Sequence, residues 1–538
     1  MLMSKADLLL TGAKVRTLDP DNPEAEAIAI KDGLILAVGG AAELEAYRGA
    51  ETEVIDLKGA AAVPGLTDSH MHPLMGARET IGADLLDAHT LDEVLAILRD
   101  EAERTELDGW VYGWGLLYDV FEGQEIRHEL IEEAVGGRKA AIIFMDFHSL
   151  LVSEAALAAA GIDGPREFEE NSEIICADGR PTGLLVENAA MDLVRGIMPE
   201  PSAEELLEVF AQHFRNLAAH GITSTHAMDG DLESVELYRQ LEQRGELVTR
   251  VTVPFTITPE TTDEQWEVYA DNGKLSGRYW RTGVAKFFID GVIDAGTGWL
   301  VEPDEMGEGL TPFWPDPDRY RRAVKFFSER GFQCATHATG DRGVREALDA
   351  YEQGGTHGAG IRHRVEHIET LQPDDLPRFA QLGVVASMQT QHMMWLDPDR
   401  ACNWSRRLGN DRCDRAFMTR SLRESGAIVT LGSDWPVARY DPREGLASAQ
   451  LRRPPGHSER RAYDNQAIDG VAALEGYTVN AAYTVGEEGR LGRLKPGYCA
   501  DITVMATDPA TTDPDQLVST EFLMTVMDGR VVFRAAGC

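Results

Sequence analysis

The sequence predicts an α/β protein built around a closed (β/α)8 barrel, and three observations carry that prediction. Through the middle of the chain, apolar β-prone segments alternate with amphipathic helical segments, the pattern of parallel β/α units. Eight such strands can be counted, the number that closes a TIM-type barrel. Both ends of the chain read as short β-runs broken by Gly and Asp-Gly turns, which suggests a small β-sandwich domain assembled from the two termini.

The N-terminal β-runs are "ADLLLTGAKVRTL", "AIAIKDGLILAVG" and "TEVIDLKGAAAVPG". The sandwich is expected over residues 1–62 and 488–538, and the barrel over 63–487. The first barrel strand lies in "AAVPGLTDSHMH". After it, the stretch from about 74 to 215 is too long for a single crossover and is read as a large insertion. It carries helical patterns of its own, "TLDEVLAILRDEAERT" and "SAEELLEVFAQHFRNLAAHG", and a strand-like "KAAIIFMDFHSLLV". The remaining strands are placed at 221–228, 249–257, 283–291, 333–340, 362–369, 383–390 and 427–434. Helical segments such as "PDRYRRAVKFFSERG" and "DRGVREALDAYEQGG" lie between them. At the finish, "ADITVMA" and "LMTVMDGRVVF" return to β-structure, with Asp528-Gly529 as a hairpin turn.

Composition limits the functional classes. Apolar residues make up 43% of the 538 and charged residues 26%, the balance of a soluble globular protein. No apolar run approaches the length of a membrane span. Met1 to Val15 shows no basic flank, apolar core and cleavage site of a signal peptide, so a cytoplasmic location and no membrane partner are expected. The net charge of −39 argues against a nucleic-acid partner, because few cations are available to neutralise phosphates. Six scattered Cys with no CxxC pair read as free thiols. Only nine of the 51 basic residues are Lys, so a Lys inside an apolar strand stands out.

That Lys is Lys286, in "VAKFFIDG". His70 and His72 sit two apart at the end of the first strand, so both imidazoles project to one side. His337 in "ATHATGD", His367 in "RVEHIE" and Asp434 in "LGSDWP" fall at or near the ends of later strands. All six can converge on the mouth where such barrels place their chemistry. Imidazole and carboxylate suit zinc and similar ions, and a metal lowers the pKa of its water toward neutrality. Each residue also has a plain alternative: a snorkelling Lys, satisfied core histidines, an N-capping Asp. Six such placements on ordered strands make a shared site the better reading. His363 is on the same strand face as His367 but roughly 13 Å away at about 3.3 Å per residue, too far to share an ion. His226, near the end of the second strand, is a candidate pocket residue. Trp114, Trp299, Trp395 and Trp435 fall in expected mouth loops and suggest an apolar pocket for an aromatic or acyl group, or else the packing of those loops. Arg342 is read as a helix-surface residue before an anion binder.

The motifs "VPGLTDSHMHP", "VAKFFIDGVID", "THATGDRGV", "RVEHIE" and "LGSDWPV", with "GRLGRLKPGYCADITVM" near the C-terminus, resemble the metal-dependent amidohydrolases. The resemblance is to the amidohydrolase-3 (YtcJ-like) branch, related to N-substituted formamide deformylases, and covers essentially the whole chain. It implies two divalent ions, zinc first, with His70 and His72 on one and His337 and His367 on the other. It implies that Lys286 is N6-carboxylated and bridges both ions, and that Asp434 ligates the first ion and shuttles a proton. It further implies that His148, in "FMDFHSLLV", touches the substrate carbonyl, and that the protein forms a homodimer or higher homo-oligomer. The function implied is hydrolysis of an amide or other C–N bond in a small N-acyl or N-formyl molecule by a metal-activated water. A cyclic-amide hydrolase or an esterase/lactonase would use the same centre. A catalytically silent binding relative would lack a ligand, and all six candidates are present. A phosphate-binding barrel of unrelated chemistry would need a Gly-rich grip that "LGSDWPVARYDP" does not offer.

Overall fold

The computed structural model of the protein describes residues 4–121, 123–145, 147–168, 172–199, 202–354, 360–396, 399–458 and 464–537. Eight strands form one all-parallel sheet: β1 (Leu66–Met71), β2 (Ile222–Ala227), β3 (Arg250–Ile257), β4 (Trp280–Phe288), β5 (Gln333–Ala338), β6 (Arg364–His367), β7 (Val385–Met388) and β8 (Val429–Leu431). They are hydrogen-bonded in chain order from β1 to β8. The ends meet just past β8, where Met71 forms a parallel bridge with Trp435. Asp434 N donates to His70 O at 2.7 Å and His72 N donates to Trp435 O at 2.7 Å. This is the (β/α)8 barrel that the alternation predicted, with all eight strands at the expected places.

The strands are near-continuously buried, as parallel strands covered on both faces must be. Between them run the helices Leu232–Arg244, Asp263–Asp271, Pro317–Glu329, Asp341–Gly354 and Leu376–Leu382. The helix starting at Pro317 shows local sequence logic. Asp316 caps it through its side chain to Asp318 N, and Pro317 stands where no N–H is needed.

Two further sheets use both termini. One pairs Leu34–Gly39, Ala27–Lys31, Leu8–Thr11 and Glu53–Asp56. The other pairs Arg530–Arg534, Phe522–Met527, Ile502–Met505, Ala61–Pro64, Lys14–Arg16 and Glu24–Ala25. Leu10, Ile28 and Ile30 of the first share a core with Val504, Met524 and Val526 of the second. Both Asp-Gly pairs form hairpin turns, with φ of 52° and 80° at Asp32 and Gly33 and 54° and 74° at Asp528 and Gly529. Two successive positive φ values are what a two-residue hairpin loop demands.

Residues Leu74–Phe210 cluster as a compact unit separate from the rest. It contains its own six-stranded sheet, ordered Glu173–Ala177, Arg180–Val186, Ser149–Val152, Lys139–Phe144, Trp110–Leu116, Ala83–Asp84. The strand-like run "KAAIIFMDFHSLLV" is two antiparallel strands rather than one, reversing between Phe144 and Ser149. Helix Leu91–Arg104 opens with a Thr90/Glu93 capping box. Among the described residues, no helix is long and apolar enough to cross a membrane.

Candidate metal centre

The side chains nominated from the sequence meet at the C-terminal end of the barrel. Asp434 is the hub. Its Oδ1 lies 3.1 Å from His70 Nε2 and 3.1 Å from His72 Nε2. Its Oδ2 lies 4.0 Å from His367 Nδ1. The imidazoles of His70 and His367 are 4.8 Å apart between centroids, and those of His367 and His337 are 4.3 Å apart. His70, His367 and Asp434 each offer one ligand atom, all within 4.8 Å of one another.

Local backbone conformation aims these groups. Asp434 (φ 65°), His367 (φ 70°) and Ile368 (φ 50°) all occupy the left-handed region. This is costly for residues with a Cβ, above all the β-branched Ile368, and such strain persists where surrounding contacts over-determine it. Here Asp68 supplies contacts. Its buried carboxylate accepts from His70 N at 3.0 Å and from Ser433 N at 3.1 Å, tying the two ends of the barrel seam together. Burial raises its pKa to about 6 against those hydrogen bonds.

The electrostatics suit a cation. Burial holds His337 down to about 3, and it places His367 and His392 below the usual imidazole range, so all three imidazoles are neutral at pH 7. Burial would raise Asp434, but the neighbouring His70 and His72 outweigh it and keep the carboxylate ionised. His337 Nε2 donates to the carbonyl of Gly291 at 3.0 Å, which leaves Nδ1 as its free lone pair. Lys286 is fully buried, its Nζ has no hydrogen-bond partner among the described residues, and burial pushes its amine down to about 8. A fully buried amine with no hydrogen-bond partner among the described residues is costly to hold as a charged ammonium.

The structure adds residues that the sequence reading missed. His392, just past β7, brings Nε2 to 3.5 Å from Asp434 Oδ2. Glu366 accepts from His70 Nδ1 at 2.7 Å, and Arg364 pairs with Glu366. Two charged residues spaced by two within a strand that is buried on both faces were a usable signal, since such charges must pair.

The other nominated residues divide between those that sit as expected and those that do not. His226 lies near the end of the second strand, as expected, and is buried, its Nδ1 accepting from Arg364 Nη1 at 3.0 Å. Trp114 is not in a mouth loop: it lies in strand Trp110–Leu116 and packs with Ile143, Leu150 and Met191 in the core of the 74–210 unit. Within that same unit His148 is exposed, with Nδ1 3.1 Å from Glu187 Oε2. Trp299 does fall in the loop after β4. Its N donates to Asp290 and the Arg342 guanidinium lies 5.1 Å from its ring. Arg342 also pairs with Glu346 of its own helix, the surface role expected of it. Trp435 is buried and stacks on His213 at 4.2 Å. The Trp395 side chain lies outside the described residues. His363 is a core residue, accepting from Cys334 N at 2.9 Å and bonding Ser328 Oγ at 2.9 Å.

From Lys286 an aromatic wall runs outward. Lys286 Nζ is 4.8 Å from the Phe288 ring, which lies 5.3 Å from the His337 ring and 6.2 Å from Phe313. Phe313 is 44% exposed, and Met306 and Leu310 of the same loop are more exposed still.

An eight-stranded parallel barrel with these side chains at its mouth has the architecture of a metal-dependent hydrolase. The comparisons make this specific. The Amidohydrolase family profile (Amidohydro_3) matches residues 53–533, and the chain belongs to that family. It is 29% identical to the putative amidohydrolase YtcJ of Bacillus subtilis, over 97% of this chain and 98% of that protein. It is 25% identical to the N-substituted formamide deformylase of Arthrobacter pascens, over 99% of each. A crystal structure of an uncharacterized metal-dependent hydrolase from Pyrococcus horikoshii has the same fold, with a TM-score of 0.74 at 22% identity, covering 94% of this chain and 99% of that one. The protein is thus a metal-dependent hydrolase of the amidohydrolase superfamily, acting on C–N bonds.

Proposed function

We propose that the protein hydrolyses the amide bond of a small N-acyl or N-formyl compound, using two divalent ions, zinc first. The observation that carries this reading is Asp434, whose two oxygens face His70 and His72 on one side and His367 on the other. His70, His72 and Asp434 would hold the first ion, and His337 and His367 the second. Lys286, carboxylated when its neutral amine adds to CO2 and releases a proton, would bridge them. When bound, the ions supply Lewis acidity at the scissile carbonyl and lower the pKa of the attacking water.

The chain's own residues do the rest. Asp434, ionised and in place, takes a proton as the water oxygen bonds to the carbonyl carbon. It returns that proton to the nitrogen as the C–N bond breaks, releasing a carboxylic acid and an amine. Neutral His337 and His367 present lone pairs without charge repulsion. Phe288 and Phe313 offer an apolar surface beside the centre, which supports a substrate with an apolar group next to the amide. The deformylase relative, by its name, acts on an N-substituted formamide, a compound of this kind.

The test is elemental analysis of wild type and Lys286→Ala purified with bicarbonate present. About two ions per chain in wild type, falling in the variant, supports the bridged pair. One ion or none in both would sink it.

A further inference from the structure

We propose that Arg364 and Glu366 are positioning residues for the metal centre, a buried arginine–carboxylate–imidazole relay that fixes the tautomer and ring orientation of His70. This rests on the reading of His70 as a metal ligand.

Arg364 and Glu366 are two apart in β6, so both project into the barrel, while His367 begins the turn out of the strand. All atoms of the relay are sealed from solvent: Arg364, Glu366 and His70 are each 0% exposed. A buried carboxylate is expensive unless paired and hydrogen-bonded on both oxygens. Glu366 meets that demand. Its Oε1 accepts from Arg364 Nε, and its Oε2 accepts from Arg364 Nη2 at 3.0 Å and from His70 Nδ1 at 2.7 Å.

The chemistry of the acceptor settles the imidazole. An ionised carboxylate can only accept, so the proton on His70 resides at Nδ1. That leaves Nε2 facing Asp434 Oδ1 at 3.1 Å with no hydrogen-bond partner among the described residues. An imidazole lone pair and a carboxylate oxygen this close need a cation or a second proton between them. The relay therefore presents a preset ligand atom, its tautomer and ring orientation fixed by Glu366.

Arg364 does more than neutralise Glu366. Its Nη2 also donates to Ser69 O at 2.6 Å and to Ser387 Oγ at 2.7 Å, and its Nη1 donates to His226 Nδ1 at 3.0 Å. One guanidinium thus joins β1, β2, β6 and β7 directly beneath His70. Nη2 has two N–H groups for three acceptors, so one of its bonds is shared; a Lys ammonium, with three donors on one atom and no plane, cannot span these partners.

The experiment measures zinc affinity of metal-free protein by chelator competition, and the absorption of the Co2+-loaded protein, for wild type, Glu366→Gln, Arg364→Lys and His70→Ala. Glu366→Gln keeps the shape and an acceptor but lets the amide rotate to donate to Nδ1. It should weaken zinc binding about 10- to 100-fold and alter the Co2+ d–d bands, while the metal-free protein stays folded. Arg364→Lys should weaken binding in the same direction. If Glu366→Gln does not fold, Glu366→Asp carries the test: it keeps the charge, shortens the reach and should still weaken zinc binding. Wild-type affinity and an unchanged Co2+ spectrum in the folded Glu366 variant, with binding lost in His70→Ala, overturn the relay and leave the metal centre standing. No zinc binding by the wild type overturns both.

Discussion

Gly432 stands where the last barrel strand approaches the first, and Gly432→Ala tests how closely the site depends on that approach. A Cβ at this position would sit 2.4 Å from His70 N, 2.8 Å from His70 Cβ and 3.0 Å from Asp68 Oδ1. Carbon atoms settle at about 3.5 Å, so the backbone of His70 must retreat by about 1 Å. Neither neighbour can yield cheaply. His70 O is held by Asp434 N at 2.7 Å, and Asp68 is tied to both His70 N and Ser433 N. The displacement therefore passes to the imidazole and opens its 3.1 Å approach to Asp434. Overpacking of this kind costs about 1–3 kcal/mol of stability. A misplacement of about 1 Å at reacting groups costs about 100-fold in rate. The assays are metal content, zinc affinity and turnover of an N-formyl amide, with Gly489→Ala, whose added Cβ meets nothing within 4 Å, as the control. Wild-type metal binding and turnover in Gly432→Ala would refute the claim that the seam positions His70.

Three more outcomes follow from the same structure. Asp434→Asn keeps the shape but removes the charge and the proton acceptor, so kcat should fall by about 10²–10⁴; a loss smaller than tenfold argues against the proton-transfer role. Phe313→Ala should raise KM about tenfold for amides bearing an aromatic group and leave small formamides unchanged, consistent with about 1.4 kcal/mol for one lost ring contact; equal effects on both series would detach Phe313 from substrate selection. His363 is buried as the neutral form, with its pKa pushed down to about 3 from an ordinary 6.5. Because the unfolded chain binds the proton more readily, the stability from His363 is complete above about pH 6.5 and is lost as pH falls, by about 2 kcal/mol between pH 7 and pH 5. The His363→Gln variant should show a flatter decline of unfolding stability over that interval, and an unchanged slope would contradict it.

What the sequence revealed depended on whether a signal is local. The barrel strands were legible because each is an apolar run between helices with ordinary capping and turn residues. Lys286 was conspicuous because a Lys is rare in this chain and costly inside such a run. The sheet of the 74–210 unit was not legible. Its strands mix parallel and antiparallel neighbours, and nothing in "KAAIIFMDFHSLLV" marks the reversal before Ser149. Trp114 was misplaced for the same reason: Gly113 and Gly115 around it suggest a loop, yet it is a core residue of a strand. His226 carried no sign of its partner, since Arg364 lies 138 residues away. His392 sits in "MQTQHMMW", with no neighbouring ligand type to single it out. Contacts of this sort exist only once the barrel has closed.

Closure of the barrel and metal binding should accordingly be thermodynamically linked. The seam between β1 and the segment after β8 is made by Asp434 N to His70 O and by His72 N to Trp435 O, so three of the proposed ligands are themselves the residues that join the barrel ends. Ser69 Oγ and Thr430 Oγ1 add a buried link one layer below. The left-handed conformations of Asp434 and His367 each cost about 1–3 kcal/mol and must be offset by these contacts. An ion that ligates His70, His72 and Asp434 together binds the closed seam and has no equivalent site in the unfolded chain. It should stabilise the fold by about 4 kcal/mol when free zinc exceeds Kd a thousandfold. Thermal unfolding with and without zinc should show that gain in wild type and not in His70→Ala. A gain that survives loss of His70 would place the stabilising ion somewhere other than the seam.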